Sequence, residues 1–323
     1  MQQREHIMRY SKPSLSIESQ IQLLQSRGLL INDTTRATRH LSNISYYRLS
    51  AYMKPYQVRD DSGKIIDKFE DGSNWDQIIN LYRFDRKFRL LVFDAIERIE
   101  ISLRTQLIHQ LSQKYGSHWH TDNSLFKTIT YQNKETGEIQ QREIFNDLNS
   151  HIREQLKSNK STEFIKHYQK KYNEPDTPPS WMSVEILYFN QLSLICKSLK
   201  NPKDLSDLSG YFSLPKDIFI SWIHTVNYLR NICAHHSRLW NLTLQVTPSK
   251  LQFSKRLNWI TAPEKAQSAK MYYSLCVIIY FLQTINPNSK FVKHFKDLCG
   301  EFPDVNIGYM GFPDNWMKEK IWQ

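Results

Sequence analysis

Cysteine is scarce in this chain of 323 residues. Its four cysteines lie far apart, at Cys196, Cys233, Cys276 and Cys299, and form no C-x-x-C pair. Small secreted domains need a dense set of disulfides, and zinc ribbons need paired cysteines. The spacing argues against both classes and fits a reducing compartment, so we expect a cytoplasmic protein.

Long apolar runs are also missing. The longest, Met271–Ile285, is shorter than the roughly 20 residues that cross a bilayer, and it predicts a buried helix. Residues 1–6 lead into polar sequence rather than into the apolar stretch of a secretory signal. We therefore expect neither secretion nor insertion into a membrane.

Acidic residues are too few to balance the basic ones, 32 against 43, which leaves a formal net charge of +11. Glycine and proline, at 9 and 12 residues, are too sparse for a disordered chain. A basic surface attracts phosphates. The composition therefore indicates a folded protein with a polyanionic partner, for which nucleic acid is favoured over a membrane surface.

Helical periodicity dominates the chain and predicts a mainly α fold, a helical bundle with a small N-terminal appendage. Residues 1–74 form the appendage, a helix pair with a β-hairpin. Residues 75–285 form the helical domain, which a proline-containing insertion at about residues 114–179 interrupts. Residues 286–323 are predicted to be a loosely ordered C-terminal tail.

The appendage shows two helices and a hairpin. Apolar residues at helical spacing precede Gly28, a typical glycine cap, and a second helix starts at Asp33 or Thr34. Strand-like runs at residues 52–58 and 64–69 flank a turn sequence. The helix pair also matches a helix-turn-helix, so a DNA-binding regulator is one alternative.

A long core helix is predicted at residues 75–113, which contain no glycine or proline. Its apolar stripe consists of Phe84, Phe88, Leu91, Ala95 and Ile99. Within an arc of roughly 60° on the opposite side lie four charged residues, Arg86, Glu97, Glu100 and Arg104. Two interpretations stay open: a solvated face with ion pairs such as Glu100 with Arg104, or support for a functional site.

The insertion carries a basic segment at residues 151–172. Its cations include Arg153, Lys157, Lys166, Lys170 and Lys171, interleaved with Phe164, Tyr168 and Tyr172. Cations neutralise phosphates and aromatic faces stack on unpaired bases, so the segment is a candidate RNA-binding surface. An equally weighted interpretation is a lysine-rich solvated helix whose aromatic side chains face the core.

The most informative segment is residues 222–241, WIHTVNYLRNICAHHSRLWN. Helices are predicted over residues 181–199 and 217–240, the second with a buried stripe of Trp222, Val226, Leu229, Cys233 and, further on, Trp240. Around the small Ala234, an arc of roughly 140° carries Asn227, Arg230, Asn231, His235 and Arg238. The small residue leaves room for a ligand to approach the helix.

These residue types suit cleavage of a phosphodiester in RNA. His235 can take the proton of a ribose 2′-hydroxyl, and Arg230 can bind two phosphate oxygens whose charge grows. Asn231 can orient the imidazole or the substrate, and no metal is required. His236 projects beside the buried stripe, so we expect a semi-buried structural histidine rather than a second catalytic one.

This segment resembles the signature of the Abi-like (AbiD/AbiF) abortive-infection proteins, whose motif is the Arg-x4-His of HEPN ribonucleases. The matching run is Arg230-Asn231-x-x-Ala234-His235-His236-x-Arg238-Leu239-Trp240-Asn241. Further matches follow in order within residues 14–245, at residues 20–28, Tyr46-Tyr47-Arg48-Leu49, Tyr82-Arg83-Phe84-Asp85-Arg86, Glu97-Arg98-Ile99-Glu100 with Arg104, Lys114-Tyr115-Gly116 and Trp181-Met182.

The resemblance implies a HEPN-like helical bundle, a role in antiphage defence, and a composite active site formed by two Arg-x4-His motifs in a homodimer. It implies catalytic roles for Arg230 and His235 and an accessory role for Asn231. Supporting roles are predicted for Glu97, Glu100, Arg104, His236 and Arg238. Ser237 stands where related toxins controlled by tyrosine modification carry the tyrosine, so control by a bound small RNA, as in a toxin–antitoxin pair, is favoured.

Two further functions stay open. The motif could clamp a structured RNA without cutting it, as a non-catalytic RNA-binding defence module. A metal-dependent nuclease or hydrolase could instead use His118, His120 and Asp122, which lie in an apparent loop with no further ligands at suitable spacing.

Overall fold

The computed structural model describes residues 13–133, 136–158, 161–251 and 269–323, and twelve α-helices and four short strands lie in these residues. The first part of the chain contains α1 (Ile17–Ser26), α2 (Thr34–Asn43), α3 (Tyr46–Met53), β1 (Gln57–Arg59), β2 (Ile65–Phe69) and α4 (Trp75–Tyr115). The insertion contains β3 (Ile129–Gln132), β4 (Ile139–Arg142), α5 (Ile144–Lys157) and α6 (Glu163–Lys171). The remaining helices are α7 (Ser180–Ser183), α8 (Phe189–Ser198), α9 (Pro202–Tyr211), α10 (Lys216–Ala234), α11 (Met271–Ile285) and α12 (Phe291–Glu301).

The mainly helical architecture is confirmed, with β1–β2 and β3–β4 as two small antiparallel hairpins. Contacts between residues divide the chain into two units, residues 1–86 with 302–305 and residues 87–301 with 306–323. This division falls within α4, whereas the predicted boundary lies at the start of that helix. The three-part division at residues 74 and 285 stays a prediction.

In the first unit, α1 ends in the glycine cap that the sequence predicts. Gly28 has a φ of 94°. Its N–H donates to Gln25 O at 2.9 Å, and the Leu29 N–H donates to Leu24 O at 3.1 Å. These two bonds define a Schellman motif. Leu24 and Leu29 are both buried, so the turn that ends the helix also joins two side chains in the core.

The strand predicted at residues 52–58 is largely wrong, because most of this run belongs to α3 or to the turn after it. The Ser45 side chain accepts a hydrogen bond from a backbone N–H of the first turn and so caps the helix. Leu49, Tyr52 and Met53 are buried at helical spacing. A cap and an apolar stripe therefore outweigh the strand-like composition of the segment.

The long helix is confirmed as α4, which has 41 residues. Of its predicted stripe, Phe84, Phe88, Ala95 and Ile99 are at most 1% exposed, and Leu91 is half-buried. Residues at other angles around the helix are buried as well, namely Val92, Ile96, Leu103 and Leu107. A helix buried on more than one face forms part of a core rather than a surface layer.

The apolar run near the C-terminus forms α11, and residues 271–282 are all buried, as predicted. No helix in the described ranges has the length and apolar character that crossing a membrane requires. The predicted loose tail is wrong. α12 follows, and the rings of Phe295, Phe312, Trp316 and Trp322 pack with centroids 4.9 to 5.9 Å apart. Large aromatic side chains bury much apolar area, so this composition forms a hydrophobic cluster.

His120, which follows α4, is completely buried. Burial, together with the neighbouring His118, lowers the pKa of His120 from 6.5 to about 4. Between these two values the folded protein keeps the imidazole neutral, whereas the unfolded chain binds a proton. The contribution of this histidine to the free energy of unfolding is therefore fully present above pH 6.5. It is lost as the pH falls through the window from 6.5 to about 4.

We predict that the free energy of unfolding falls by about 3 kcal/mol across this window through His120 alone, at about 1.4 kcal/mol per pKa unit. His120→Phe should remove this part of the pH dependence, because phenylalanine cannot bind a proton. His109→Gln, at an exposed position on α4, should retain it. Urea unfolding at a series of pH values measures the difference, and identical pH dependence in both variants would contradict the prediction.

Candidate functional site

The segment with the Arg-x4-His pattern lies at the C-terminal end of α10, which ends at Ala234. Three backbone hydrogen bonds of 3.0 Å close the helix, from the N–H groups of His235, His236 and Ser237 to the carbonyls of Asn231, Cys233 and Ile232 respectively. The last two bonds define a second Schellman motif. His236 is its left-handed residue, with a φ of 56°.

The predicted continuation of this helix to Trp240 is therefore wrong, and so is the burial predicted for His236. A helical projection no longer applies beyond Ala234, because the left-handed residue turns the chain away from the helix axis. The His236 side chain is exposed rather than semi-buried. The stripe that precedes the turn is buried as predicted, at Trp222, Val226, Leu229 and Cys233.

The three predicted catalytic residues lie in the last turns of α10 and at the residue that follows it. Asn231 and His235 are exposed, and Arg230 is half-buried. Within the described part of the chain, none of these three side chains forms a hydrogen bond or an ion pair. A guanidinium, a carboxamide and an imidazole are thus available to a ligand at one helix end.

The second half of the motif anchors the turn. Leu239 and Trp240 are buried. The Trp240 Nε1–H donates to Asn306 O at 3.1 Å, and its ring packs edge-on against Tyr309 at 5.4 Å. Arg238, predicted to support the site, is half-buried in this turn. The chain after the helix therefore holds the end of α10 in place.

Asn227 lies one turn before Arg230 and is 5% exposed. Its Nδ2 donates to Asn190 Oδ1 in α8 at 3.3 Å, whereas its own Oδ1 is buried without a hydrogen-bond donor among the described residues. A buried acceptor left unpaired costs about 1–3 kcal/mol. Helical spacing places it on the face of Arg230 and Asn231. The sequence indicates that polar face but neither the burial of Asn227 nor its partner on α8.

Arg104 of α4 is buried and donates to four oxygens. They are the carbonyls of Val184 at 2.7 Å, Glu185 at 2.6 Å and Leu187 at 3.1 Å, and Glu100 Oε1 at 2.8 Å. The carbonyls belong to the turn between α7 and α8. One guanidinium therefore fixes the segment from which α8 starts.

This cluster of Arg104, Glu100 and the turn changes two predictions. The single helix predicted from Trp181 is wrong, because the carbonyls of the turn bond to Arg104 instead of continuing a helix. The predicted ion pair of Glu100 with Arg104 is present at 2.8 Å, but the solvated face predicted for it is wrong, because the two side chains are only 17% and 10% exposed. α8 packs against α10, so the cluster supports the helix that carries the motif. Glu97, by contrast, is exposed and forms no ion pair in the described residues.

The predicted RNA-binding cations lie on two other helices. Arg153 and Lys157 are on α5, and Lys166, Lys170 and Lys171 are on α6, all of them exposed. The aromatic residues of the segment differ in exposure: Tyr168 is buried, whereas Phe164 and Tyr172 are 37% and 46% exposed. Each of the two earlier interpretations therefore describes part of the segment, which has a basic face, two accessible rings and one core tyrosine.

The metal-site alternative finds no support in the geometry. The ring nitrogens of His118 lie 2.9 Å from Ser117 Oγ and 3.2 Å from Thr177 O, and Asp122 accepts a bond from the Ser124 N–H. His120 is buried. Over the described ranges, no group of three or more His, Cys, Asp or Glu side chains is placed to hold a metal ion.

The family model of the Abi-like proteins matches residues 39–241, more than half of the chain, and ends at the turn after α10. The chain therefore belongs to the Abi-like protein family. This membership suggests a role in abortive-infection defence. No curated protein and no solved structure matches the chain.

The left-handed residue after α10 gives a test of this turn. α1 closes the same motif with Gly28, which adopts a positive φ without strain, whereas His236 carries a Cβ in a conformation that costs roughly 1–2 kcal/mol. We predict that His236→Gly raises the free energy of unfolding by about 1 kcal/mol, as measured by urea denaturation. Ser237→Gly is the matched control and should bring no gain. A loss of stability in His236→Gly would show that contacts of the imidazole outweigh the strain.

Proposed function

We propose that this Abi-like protein is a metal-independent ribonuclease of the HEPN superfamily that acts in antiphage defence. The observation that carries the proposal is the end of α10, where Arg230, Asn231 and His235 lie together without partners among the described residues. A guanidinium that is partly buried is usually paired, and Arg230 is half-buried. An unpaired cation beside an exposed imidazole favours a ligand that carries phosphate.

The chemistry is transfer of the phosphate to the neighbouring hydroxyl of the same ribose. His235 takes the proton of the 2′-hydroxyl, and the resulting oxygen attacks phosphorus while the bond to the 5′-oxygen breaks. Arg230 binds the phosphoryl oxygens as their charge grows. Asn231 orients the imidazole or the ribose. All these groups belong to the protein, so the reaction proceeds without a metal ion.

The working unit in this proposal is a homodimer with two motifs facing one another. The leaving 5′-oxygen needs a proton at the moment that the 2′-hydroxyl loses one, and a single imidazole serves both steps poorly. A two-fold axis places identical residues near one another, so a second copy supplies the second histidine. Glu97, an exposed carboxylate without an ion-pair partner in the described residues, is available to offset the two guanidiniums.

The second candidate function is a non-catalytic RNA-binding defence module, which the exposed cations of α5 and α6 favour. Gln169 Nε2 donates to Leu156 O at 2.9 Å and places α6 beside the end of α5. The basic face therefore extends over two helices, which suits a structured RNA more than a single phosphate. Such an RNA could be the substrate or a small regulatory RNA that silences the protein, as in a toxin–antitoxin pair.

We predict that Arg230→Ala and His235→Ala each abolish RNA cleavage and cellular toxicity, because each removes a group that acts on the phosphodiester. Both side chains lie outside the buried stripe, so the fold should be retained. Cleavage of labelled RNA in the presence of EDTA measures the activity and separates a metal-independent nuclease from a metal enzyme.

His224→Ala, at an exposed histidine on the same helix, is the matched control and should cut at the normal rate. Full activity in a folded His235→Ala protein would refute the assigned base. A wild-type protein that binds RNA and never cuts it would establish the RNA-binding module instead.

We also predict that mixing His235→Ala chains with active chains lowers cleavage more steeply than dilution alone. After subunit exchange, a mixed dimer has one histidine at the shared site and lacks either the base or the acid. A titration of inactive against active protein at constant total concentration measures this effect. Activity strictly proportional to the active fraction, or a monomer that cuts at full rate, would exclude a shared site.

A further inference from the structure

A polar cavity of about 420 Å³ opens in the insertion, away from α10. Its walls come from α5, from the segment after α4 and from the loop before α7. Sites for small ligands have volumes of roughly 300–1,000 Å³, so this cavity has room for one small polar molecule.

The cavity holds a cation and a carboxylate that do not pair with one another. Arg153 and Asp176 both line it, yet Arg153 forms neither a hydrogen bond nor an ion pair in the described part of the chain. Asp176 accepts one hydrogen bond, from the Thr177 hydroxyl at 3.2 Å. A cation and a carboxylate that line one cavity without pairing suit a ligand with both an anionic group and hydrogen-bond donors.

The same cavity offers two rings and a further acceptor. Phe145 and His118 line it. Both ring nitrogens of His118 are engaged by Ser117 and Thr177, so this residue presents a fixed ring rather than a free donor. Asn149 uses its Nδ2 on the Phe145 carbonyl at 3.0 Å, which leaves its Oδ1 to accept a bond from a ligand.

We infer that this cavity binds one unpaired nucleotide of RNA. Arg153 takes its phosphate, the rings of Phe145 and His118 lie against its base, and Asp176 and Asn149 accept from donors on the base edge. Two acceptors select a base with an exocyclic amine, such as cytosine, over uracil. The inference rests on the proposed function, because it assigns a recognition site to the RNA on which the protein acts.

The position of the cavity on the basic face supports an RNA ligand. Lys157 follows Arg153 by one turn of α5 and is exposed, and α6 with Lys170 lies beside the end of that helix. A strand whose base occupies the cavity can therefore continue along cations on α5. Phosphate contacts fix the position of a strand, whereas contacts to base edges give it sequence preference.

The test measures binding of two single-stranded RNA oligonucleotides of equal length, one of cytidine and one of uridine, to full-length His235→Ala protein. Fluorescence anisotropy should show about tenfold tighter binding of the cytidine oligomer, as one good base contact provides. Asp176→Asn and Asn149→Ala should each reduce this preference toward unity while the uridine oligomer binds as before. Asp176 is exposed and Asn149 is half-buried, so both variants should fold, as circular dichroism verifies.

Lys170→Gln is the matched control for Arg153→Gln. Both variants remove a cation and should weaken the binding of both oligomers. Only Arg153→Gln should abolish the binding of free cytidine monophosphate, as measured by calorimetry. Equal affinity for the two oligomers, or a preference that survives in Asp176→Asn and Asn149→Ala, would overturn the inference even if the wild-type protein cuts RNA. Loss of preference in these variants, with cleavage unaffected by Arg230→Ala, would uphold the cavity and refute the proposed active site.

Discussion

The candidate site depends on one buried guanidinium. Arg104 donates to three backbone carbonyls of the turn before α8 and to Glu100. Only arginine offers five N–H groups in a planar, permanently charged fork, so lysine cannot reproduce this pattern. Without it, the Glu185 and Leu187 carbonyls and the largely buried Glu100 carboxylate would lose this donor, and the loss of one partner from a buried pair costs about 3–5 kcal/mol. α8 starts at this turn and packs against α10, so the position of the motif depends on the same bonds.

The end of α10 departs from ordinary packing in three ways within ten residues. Asn227 has a buried acceptor without a donor, Arg230 has no carboxylate partner among the described residues, and His236 adopts a conformation that favours glycine. The unpaired Asn227 acceptor and the left-handed His236 each cost stability, and none of the three departures improves the core. Local violations of this kind concentrate at functional sites, because the surrounding structure must hold groups ready for a ligand. Their clustering is the physical argument that this helix end binds something.

Periodicity in the sequence predicts the helices whose buried residues recur at helical spacing within the same element. α4, α11 and the stripe from Trp222 to Cys233 belong to this class, because neighbouring turns of one helix carry the signal. The break between α7 and α8 could not be predicted in this way, since its cause is Arg104, about 80 residues earlier in the chain. The end of α10 was missed because glycine marks such a turn in α1, whereas a histidine occupies the same place after Ala234. The aromatic tail shows that composition alone does not separate a loose segment from a hydrophobic cluster.

In the proposed ribonuclease, the chemistry of the two regions implies a division of labour in RNA recognition. Arg230, Asn231 and His235 are suited to the phosphate and the 2′-hydroxyl, which every nucleotide of RNA shares, so this site alone cannot select a sequence. Selection requires groups that contact base edges or stack on bases, and such groups are found in the insertion, in exposed rings and in a cavity with free acceptors. In the proposed ribonuclease, exposed groups of the insertion can therefore change which RNA is bound while the groups assigned to the reaction stay in place.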